Sequence, residues 1–494
     1  MTVERFVLFP GRHHLLTRFQ AEYLRGLGGT VVWAVTSANH QNTKRNPVPY
    51  DRREAAIERF SVSEGLRSLV VPVFDTAHTD RFAGVTLKSV ESGLGLRLTP
   101  ADTVVACSTP EVAAMYEALG FEIAGVETGR DPAPARPWDV LLMLAAGDPA
   151  WRELAHPATL DVFDRYRLDE QVRLVVNDPV VGEEGGLTTT RDYRTYAEAF
   201  EASAERKWDL VRRHVRPGRI VDVGCGAGAV LGLADREPAL RESDLIGVEV
   251  ARHLYEECVH RKAQGWFTNP NVYFYCRNVL GGAVFPARSI DTTLTFALTH
   301  EIWSYGQRMA SLRTFAAAIY EHTVPGGVWI NSDVCGPDGR DLPVRLLLQG
   351  APKEPVSLDG LTRDEIAAHV EGLSPRARLD RFAADFHFPL PFAERGDSVE
   401  LALGDAMEFL THKDYPDNWL SEAHEQFCGL EFADWKALLT DVGFEVDGAS
   451  HVWRNDWIVD NRIAPVATLS TADGAPMDWP VTHVLLVARR PLNT

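Results

Sequence analysis

The sequence predicts an α/β protein built from two domains, each with a parallel β-sheet. Short β-rich runs alternate with helical patterns over residues 3–125 and again after residue 190, which is the pattern of βαβ units. At 494 residues the chain is also too long for one ordinary hydrophobic core. We place the domains at residues 1–180 and 181–494, because the segment "NDPVVGEEGGLTTT" between them has the Gly-, acid- and Thr-rich composition of a linker.

In the first domain, β-rich runs are separated by helical patterns or by turns. The runs are, in order, "RFVLF", "TVVWAVTS", "RSLVVPVF" and "DTVVACST". We expect helices near residues 17–27 and 51–59 and in "PEVAAMYEALGFEI". The Pro-rich "RDPAPARPWD" interrupts this rhythm, and helical patterns follow it to about residue 170.

The second domain opens with a helical pattern, "TYAEAFEASAERKWDLVRRHV". Apolar strand candidates follow it: "IVDV", "DLIGVEV", "NVYFYC", "DTTLTFAL" and "GVWINSDV". From residue 337 to about 425 the pattern is looser and rich in Pro and charge, so we expect an inserted or appended cap over the site there. A final helix and closing strands are predicted in "FADWKALLTDVGFEVDG" and "THVLLVARRP".

Composition limits the classes of function. The formal net charge of −19 disfavours non-specific binding to nucleic-acid phosphates. Hydrophobic residues at 45% and charged residues at 24% are typical of a soluble globular protein. The sequence shows neither the pattern of a signal peptide nor a membrane-spanning run. We therefore expect a cytoplasmic location without membrane contact. The six cysteines form no CxxC pair, which favours reduced thiols and no metal site.

A glycine-rich loop at residues 220–231, "IVDVGCGAGAVL", is the strongest motif. An apolar strand candidate runs into Gly224, Gly226 and Gly228, which permit a tight turn and a close approach of backbone to ligand before a helix begins. Taken alone, the spacing also fits a dinucleotide fingerprint or a flexible turn. The next strand candidate ends with Glu249, at a distance where an acid can accept hydrogen bonds from ribose hydroxyls.

With Asp222 ahead of the glycines, this loop resembles that of the class I S-adenosylmethionine-dependent methyltransferases, which have a Rossmann-like fold. The resemblance covers roughly residues 190–335 and the final helix and strands. It implies S-adenosylmethionine as the cofactor, with Asn278 near the adenine and with Tyr193 and Tyr196 closing over the cofactor or simply packing on the sheet. The implied cofactor-binding residues are Asp222, Gly224, Cys225, Gly226, Gly228, Glu249, Asn278, Val279, Phe296, Tyr193 and Tyr196.

The methyl acceptor is expected to meet the segment "LTHEIWSYG", because loops at the carboxyl ends of parallel strands face the ligand crevice. His300 is the first candidate for a base or an orienting group, and Glu301 and Tyr305 come next. We expect Trp303 and Asp333 to contact the substrate. The alternative is a helix start in which His300 caps and Trp303 packs.

Residues 3–165 resemble the nicotinamide-mononucleotide adenylyltransferase group of the nucleotidyltransferases, most specifically in "TSANHQNTKRNPVPYDRREA" and "GDPAWREL". That family's first loop carries His-x-Gly-His, whose histidines stabilise a triphosphate. Here the position holds Thr17-Arg18-Phe19-Gln20, and His13 and His14 come four residues too early.

The family's second signature, an Ile-Ser-x-Thr-x-Ile-Arg helix start, is lost as well. Arg136, Trp138 and Leu141 stand where its Ser, Thr and Arg would be. Loss of charge-stabilising groups removes the main source of rate at a phosphoryl-transfer site, so we expect no adenylyl transfer. The domain then either binds an anionic or nucleotide-like ligand or serves as a structural or dimerising module. The candidate ligand-binding residues are Gly11, Arg12, Lys44 and Arg45.

These observations predict an enzyme that transfers a methyl group from S-adenosylmethionine to a small molecule, nucleotide-like or phosphorylated, in a specialised biosynthetic pathway. One alternative is a bifunctional protein with both activities. Another is a sensor of nucleotide or S-adenosylmethionine without turnover. RNA methylation is a further alternative, against which the net charge of −19 counts. A homo-oligomer, the acceptor and the methylated atom stay open.

Overall fold

The chain divides into two compact units. The computed structural model describes residues 5–41, 43–74, 81–127, 131–177, 193–277, 279 and 285–493. Within this part of the chain, the first unit ends at Asn177 and the second begins at Tyr193. The domain boundary expected near residue 180 lies outside the described residues, so it stays a prediction.

The first unit is built on a parallel sheet that is covered by helices. Its strands are β1 (Phe6–Gly11), β2 (Thr30–Val35), β3 (Ser68–Pro72), β4 (Thr103–Ala106) and β5 (Glu122–Ala124). Its helices are α1 (Arg18–Leu27), α2 (Tyr50–Ser63), α3 (Phe82–Leu94), α4 (Pro110–Glu117), α5 (Pro137–Ala145), α6 (Trp151–Leu154), α7 (Pro157–Tyr166) and α8 (Leu168–Val176). Successive residues of β1 enter different hydrophobic clusters, Val7 one and Leu8 another, as expected for a parallel sheet buried on both faces.

The strand order of this sheet, β3-β2-β1-β4-β5, places a topological switch point between β1 and β4. Ligands of open α/β sheets bind outside the carboxyl ends of the strands at such a point. Gly11 ends β1 and Arg12 follows it, while Lys44 and Arg45 lie in the connection after β2. The four residues predicted to hold an anion therefore lie at or after the carboxyl ends of β1 and β2.

The second unit contains a mixed main sheet and a small antiparallel sheet. Its strands are β6 (Arg219–Val223), β7 (Asp244–Glu249), β8 (Val272–Cys276), β9 (Ile290–Phe296), β10 (Thr323–Val334), β11 (Pro343–Leu348), β12 (Phe392–Arg395), β13 (Ser398–Ala402), β14 (Glu445–Val446), β15 (His451–Trp453), β16 (Ala467–Thr471) and β17 (His483–Arg489). Its helices are α9 (Tyr193–Val211), α10 (Ala229–Ala234), α11 (Arg252–Ala263), α12 (Thr299–Tyr305), α13 (Met309–His322), α14 (Arg363–Glu371), α15 (Pro375–Asp385), α16 (Leu403–His412), α17 (Trp419–Glu422), α18 (Phe432–Val442) and α19 (Asp456–Ile458).

The main sheet has the order β14-β17-β10-β9-β6-β7-β8. The strands from β10 to β8 run parallel, and β17 pairs antiparallel with β10. The chain leaves β6 toward β7 and later returns to β9 on the other side, so the switch point lies between β6 and β9. The predicted class, α/β with two Rossmann-like parallel sheets, is confirmed, and the main sheet is consistent with the class I methyltransferase fold that the glycine loop implies.

The small sheet has the order β12-β13-β11-β16 and all of its pairs are antiparallel. Together with α14 to α17 it encloses a hydrophobic core of its own, which includes Leu346, Phe382 and Phe409. The cap expected at residues 337–425 matches three of these strands, but β16 comes from residues 467–471. Two separate chain segments therefore build the small sheet.

No helix among the described residues combines the length and the apolar composition needed to cross a membrane. All six cysteines are buried free thiols.

Candidate active site

The glycine-rich loop after β6 forms a tight turn that only glycines can make without strain. Gly224, Gly226 and Gly228 have φ values of 73°, 55° and 83°, in the left-handed region where a Cβ is unfavourable. A Cβ at Gly224 would lie 3.3 Å from Leu298, and one at Gly228 would lie 3.4 Å from the ring of Phe274. Both the backbone conformation and the close packing of these side chains therefore favour glycine in this turn, immediately before α10.

Glu249, the last residue of β7, is bonded directly to this turn. Its carboxylate accepts hydrogen bonds from the backbone N–H of Gly226 at 2.9 Å and of Ala251 at 2.8 Å. Burial raises the pKa of Glu249 to about 7, with Glu301 adding to the rise and the two N–H donors opposing it. The acid expected to hold the ribose therefore lies at the glycine turn.

Asp222 is completely buried, and neither of its carboxylate oxygens has a hydrogen-bond partner among the described residues. Burial raises the pKa of Asp222 to about 7, while the positive charge of Lys207 opposes the rise. A buried polar group without a partner is costly, so such an orphan commonly marks the place of a ligand or an ordered water. It lies directly before the glycine turn.

Lys207 is a residue of this site that the sequence did not reveal. It lies on α9, and burial lowers its pKa to about 7, while Asp222 and Asp333 oppose that shift. Its segment, "AERKWD", looks like any charged helix surface, so no local signal distinguishes Lys207 from its charged neighbours. Only the fold brings it close to two buried acids of the main sheet.

The remaining predicted cofactor residues differ in their placement. Cys225 and Phe296 pack in the hydrophobic core with residues of α10, so only their backbones are able to contact a ligand. Val279 packs against the cluster that contains Val223 and Phe285. Three predictions lie outside the described residues: Asn278 entirely, and Tyr193 and Tyr196 with their side chains.

The segment after β9 turns into α12 and places His300 between two carboxylates. Its Nδ1 lies 2.6 Å from Oδ1 of Asp333, and its Nε2 lies 3.2 Å from Oε2 of Glu425. Burial alone would lower the pKa of His300, but Asp333 and Glu425 raise it well above its ordinary value. The ring is thus held as a cation at neutral pH. A general base must be neutral, so this arrangement favours the orienting role.

Asp333, for which we expected a contact with the substrate, has both of its carboxylate oxygens bonded to groups of the protein. Its Oδ2 accepts from the backbone N–H of Thr299 at 2.7 Å and of His300 at 3.2 Å, which satisfies the start of α12. Its Oδ1 accepts from the N–H of Val334 at 2.8 Å and bonds the His300 ring. With both oxygens engaged and only 3% of the residue exposed, Asp333 caps α12 and fixes the imidazole.

The segment that follows α17 lies over α12 and supplies Glu425, which the sequence also did not reveal. The hydroxyl of Tyr305 donates to the carbonyl of Ser421 at 3.3 Å and to Oε1 of Glu425 at 3.4 Å. The indole N–H of Trp303 donates to Oε1 of Gln426 at 2.8 Å. The predicted residues of "LTHEIWSYG" therefore meet a segment more than a hundred residues away.

A polar cavity of about 310 Å³ opens beside Trp303. It is lined by Trp303, Arg308, Arg340, Asp341, Ala402, Gly404, Asp405, Glu408, Gln426, Cys428 and Gly429. Burial and the neighbouring Asp341 raise the pKa of Asp405 to about 6. Burial raises the pKa of Glu408 to about 8, although the N–H groups of Phe427 and Cys428 oppose the rise. The cavity combines guanidinium groups with carboxyl groups that titrate near neutrality.

In the first unit, the positions of the lost His-x-Gly-His signature are used to start a helix. Thr17 is the N-cap of α1, and its hydroxyl accepts from the N–H of Gln20 at 3.3 Å, while the Gln20 amide oxygen accepts from the N–H of Thr17 at 3.0 Å. His13 packs between Phe9 and Trp33, and its Nε2 is bonded to the Phe9 carbonyl oxygen at 3.1 Å. Neither arrangement leaves a histidine in the place of the lost pair.

Two of the residues expected to bind an anion in this unit, Arg12 and Arg45, lie close to the buried His14. The Arg12 guanidinium donates to the carbonyl of Arg45 at 3.0 Å and lies 5.8 Å from the Trp138 ring. Both ring nitrogens of His14 lack a partner of good geometry among the described residues. Burial, with Arg53 and Arg12 adding to the effect, lowers the pKa of His14 well below its ordinary value.

No protein-family model matches this chain. No curated protein matches it either. Several solved structures resemble it at low similarity. One is a chain from the complex between the Haloferax volcanii Trm112 methyltransferase activator and a methyltransferase, with 11% identity over 62% of this chain and 98% of that chain and a TM-score of 0.33. An S-adenosylmethionine-dependent methyltransferase of Methanosarcina mazei is 13% identical over 57% of this chain and 97% of that chain, with a TM-score of 0.31. An S-adenosylmethionine-dependent methyltransferase of Mesorhizobium loti is 16% identical over 59% of this chain and 100% of that chain, with a TM-score of 0.31.

Proposed function

We propose that the second unit is an S-adenosylmethionine-dependent methyltransferase that acts on a small polar molecule. The observation that carries the proposal is the pair of buried acids at the glycine turn. The buried Asp222 has no hydrogen-bond partner among the described residues, and Glu249 lies at the end of the neighbouring strand, bonded to Gly226. The three glycines have left-handed φ values that bend the backbone beside these acids at the switch point, so the residues fit this cofactor.

The residues at this turn have distinct roles. Glu249 would accept hydrogen bonds from the ribose hydroxyls, and Asp222 would face the positively charged end of the cofactor, with Lys207 nearby. When bound, the cofactor supplies an electrophilic methyl group on a sulfonium, whose sulfur keeps the electron pair of the broken bond. His300 orients the acceptor side of the crevice, since catalysis of methyl transfer depends strongly on positioning.

The cavity beside Trp303 is the place we propose for the acceptor. Its volume of about 310 Å³ is at the lower end for small-molecule pockets. Arg308 and Arg340 offer donors to an anionic or phosphorylated group, and Asp405 offers acceptors to hydroxyl or amino groups. A compact polar molecule fits this lining better than an extended apolar one.

Calorimetry with S-adenosylmethionine and with its demethylated product tests the proposal. We expect both to bind the full chain, and Asp222→Ala to weaken binding at least tenfold. Asp244→Asn is the matched control, because Asp244 begins the neighbouring strand at the opposite edge of the sheet and should not change the affinity. Absence of binding to the unaltered protein, or equal binding by Asp222→Ala, would refute the assignment.

For the first unit we infer binding of an anionic, nucleotide-like ligand without adenylyl transfer. The observation that favours binding is the buried His14 beside Arg12 at the switch point of the sheet. The capping box at Thr17 and Gln20 occupies the helix start that phosphate would need. Incubation with ATP and nicotinamide mononucleotide should release no pyrophosphate, and robust release would instead establish the bifunctional alternative.

We propose a cytoplasmic location, because six buried free thiols suit a reducing compartment.

A further inference from the structure

Three buried side chains of the second unit converge beside the proposed active site. His300, Glu301 and Glu425 each offer one ligand atom, and these three atoms lie within 4.8 Å of one another. His300 and Glu301 come from the first turn of α12, and Glu425 comes from the segment after α17. We propose that these three side chains bind a divalent metal ion, although the sequence predicted none.

Asp333 gives this cluster the arrangement that metal-binding histidines have. A histidine that ligates a metal usually donates its other ring N–H to a carboxylate or carbonyl, which fixes the tautomer and the ring orientation. His300 Nδ1 lies 2.6 Å from Asp333, which leaves Nε2 directed at Glu425. Asp333 is itself held by the backbone N–H groups of Thr299 and Val334, so the ring cannot rotate away.

The balance of buried charge also favours a cation. Three buried carboxyl groups, those of Asp333, Glu301 and Glu425, lie around the His300 imidazole, and the charge of Lys207 also acts on Asp333. Buried charges are stable only when they are compensated by opposite charges. A divalent ion brings two positive charges and replaces the proton between His300 Nε2 and Glu425. The sulfonium of the proposed cofactor would bring only one.

The set of donors indicates which ions would bind. One imidazole nitrogen and two carboxylate oxygens suit divalent first-row ions such as Mn²⁺ and Zn²⁺ better than Mg²⁺ or Ca²⁺, which prefer oxygen ligands alone. Three protein ligands leave coordination positions open. Glu301 is close enough to Glu249 for its charge to act there, so the ion would lie beside the crevice. An acceptor hydroxyl could occupy an open position, a role that rests on the proposed methyl transfer, whereas the metal site itself does not.

Metal binding is tested on the full chain after treatment with a chelator, without S-adenosylmethionine. We expect MnCl2 and ZnCl2 titrations to show one tight site per chain. Glu425→Gln and Glu301→Gln should each weaken binding at least tenfold, and Asp333→Asn about tenfold or more. Asp417→Asn, which alters an exposed carboxylate just before α17, is the control and should bind as the unaltered protein does.

Two further measurements separate this site from adventitious binding and from misfolding. Pulsed electron paramagnetic resonance of the Mn²⁺ complex should show ¹⁴N coupling from His300, and His300→Asn should remove it. The circular dichroism spectrum of each variant reports whether the variant is folded. If Glu425→Gln is unfolded, the metal affinity of Glu301→Gln and the ¹⁴N coupling test the site instead. The inference is overturned if the protein binds neither ion, if the nitrogen coupling is absent, or if Asp417→Asn loses as much metal affinity as the ligand variants. Because no cofactor is present, these outcomes are independent of whether S-adenosylmethionine binds.

Discussion

Two buried acids at the glycine turn differ in their surroundings, and that difference suits the separate roles that we propose for them. Glu249 is bonded to Gly226 and Ala251, which holds its carboxyl group at the end of β7. Asp222 has no hydrogen-bond partner among the described residues. Their pKa values are both raised to about 7, mainly by burial. A bound cation and a set of hydroxyl donors would stabilise both carboxylates, so binding and deprotonation are coupled here.

The affinity for S-adenosylmethionine should rise with pH between 6 and 8. With a pKa of about 7, Glu249 changes from about one tenth ionised at pH 6 to about nine tenths at pH 8, which corresponds to about a tenfold gain in affinity. Calorimetry at several pH values measures this gain. Glu249→Gln should flatten the dependence, leaving the part due to Asp222, and Glu256→Gln on the exposed face of α11 should leave it unchanged. An unaltered pH profile in Glu249→Gln would contradict the assignment.

Site residues that lie near the glycine loop in the sequence could be predicted, whereas those brought there by long-range packing could not. Glu249 was predictable because its distance from the glycines is set by one βαβ crossover, which is local in sequence. Lys207 and Glu425 reach the site from α9 and from the segment after α17, through packing that no local pattern encodes. The burial of the Cys225 and Phe296 side chains in the core was equally unpredictable, since a residue beside a loop can face either the crevice or the core.

At the level of elements, helix starts explain what each crevice can bind. In the second unit, α12 begins under the carboxylate of Asp333, a strand neighbour, and that contact orders His300. In the first unit, α1 begins with a self-contained capping box formed by Thr17 and Gln20. The first arrangement positions a histidine, whereas the second engages the N–H groups of Thr17 and Gln20 within the helix start itself.

Thr17→Ala should lower the free energy of unfolding of the first unit by about 1 kcal/mol, because it removes a side-chain cap. Urea denaturation of the full chain, followed by probes in each unit, measures this change. Glu22→Ala, at an exposed position of the same helix, should change the free energy by less than about 0.5 kcal/mol. Equal effects of the two substitutions would mean that the cap contributes nothing to stability.

The βα elements could be predicted because each has its own hydrophobic period and turn residues. Helices expected near residues 17–27 and 51–59 are confirmed as Arg18–Leu27 and Tyr50–Ser63. The strand candidates of the main sheet are also confirmed. The small antiparallel sheet was not predictable, because β16 joins β11 from more than a hundred residues away and its pairing depends on long-range contacts alone.

At the scale of the whole molecule, buried titratable groups narrow the pH range of stability from both sides. His13, His322 and His483 have pKa values lowered to about 4, with burial as the largest cause. Glu408 and Asp222 have pKa values raised to about 8 and about 7, again mainly by burial. In the folded protein each of these histidines resists protonation and each of these acids resists ionisation. On acidification the histidines therefore lower the free energy of unfolding between about pH 6.5 and pH 4, whereas the acids raise it as the pH falls from their raised pKa values toward their ordinary ones.

The contribution of the buried histidines to the free energy of unfolding should fall as the pH drops from 6.5 to 4, against the opposite contribution of the buried acids. In that window the unfolded histidines bind protons that the buried ones do not, so each buried histidine contributes stability that is complete above pH 6.5 and is lost toward pH 4, at most about 3 kcal/mol. Urea titrations across this range measure the loss. His322→Asn should reduce the slope, and His260→Asn, at an exposed position of α11, should not. Identical slopes in the two variants would contradict this origin.

The most direct test of the central claim is a crystal structure of the full chain with S-adenosylhomocysteine. We expect the ribose hydroxyls to lie within hydrogen-bonding distance of the Glu249 carboxylate and the amino-acid portion to lie beside Gly224 and Asp222. A ligand bound anywhere else, or a glycine turn filled by the side chains of the protein itself, would contradict it.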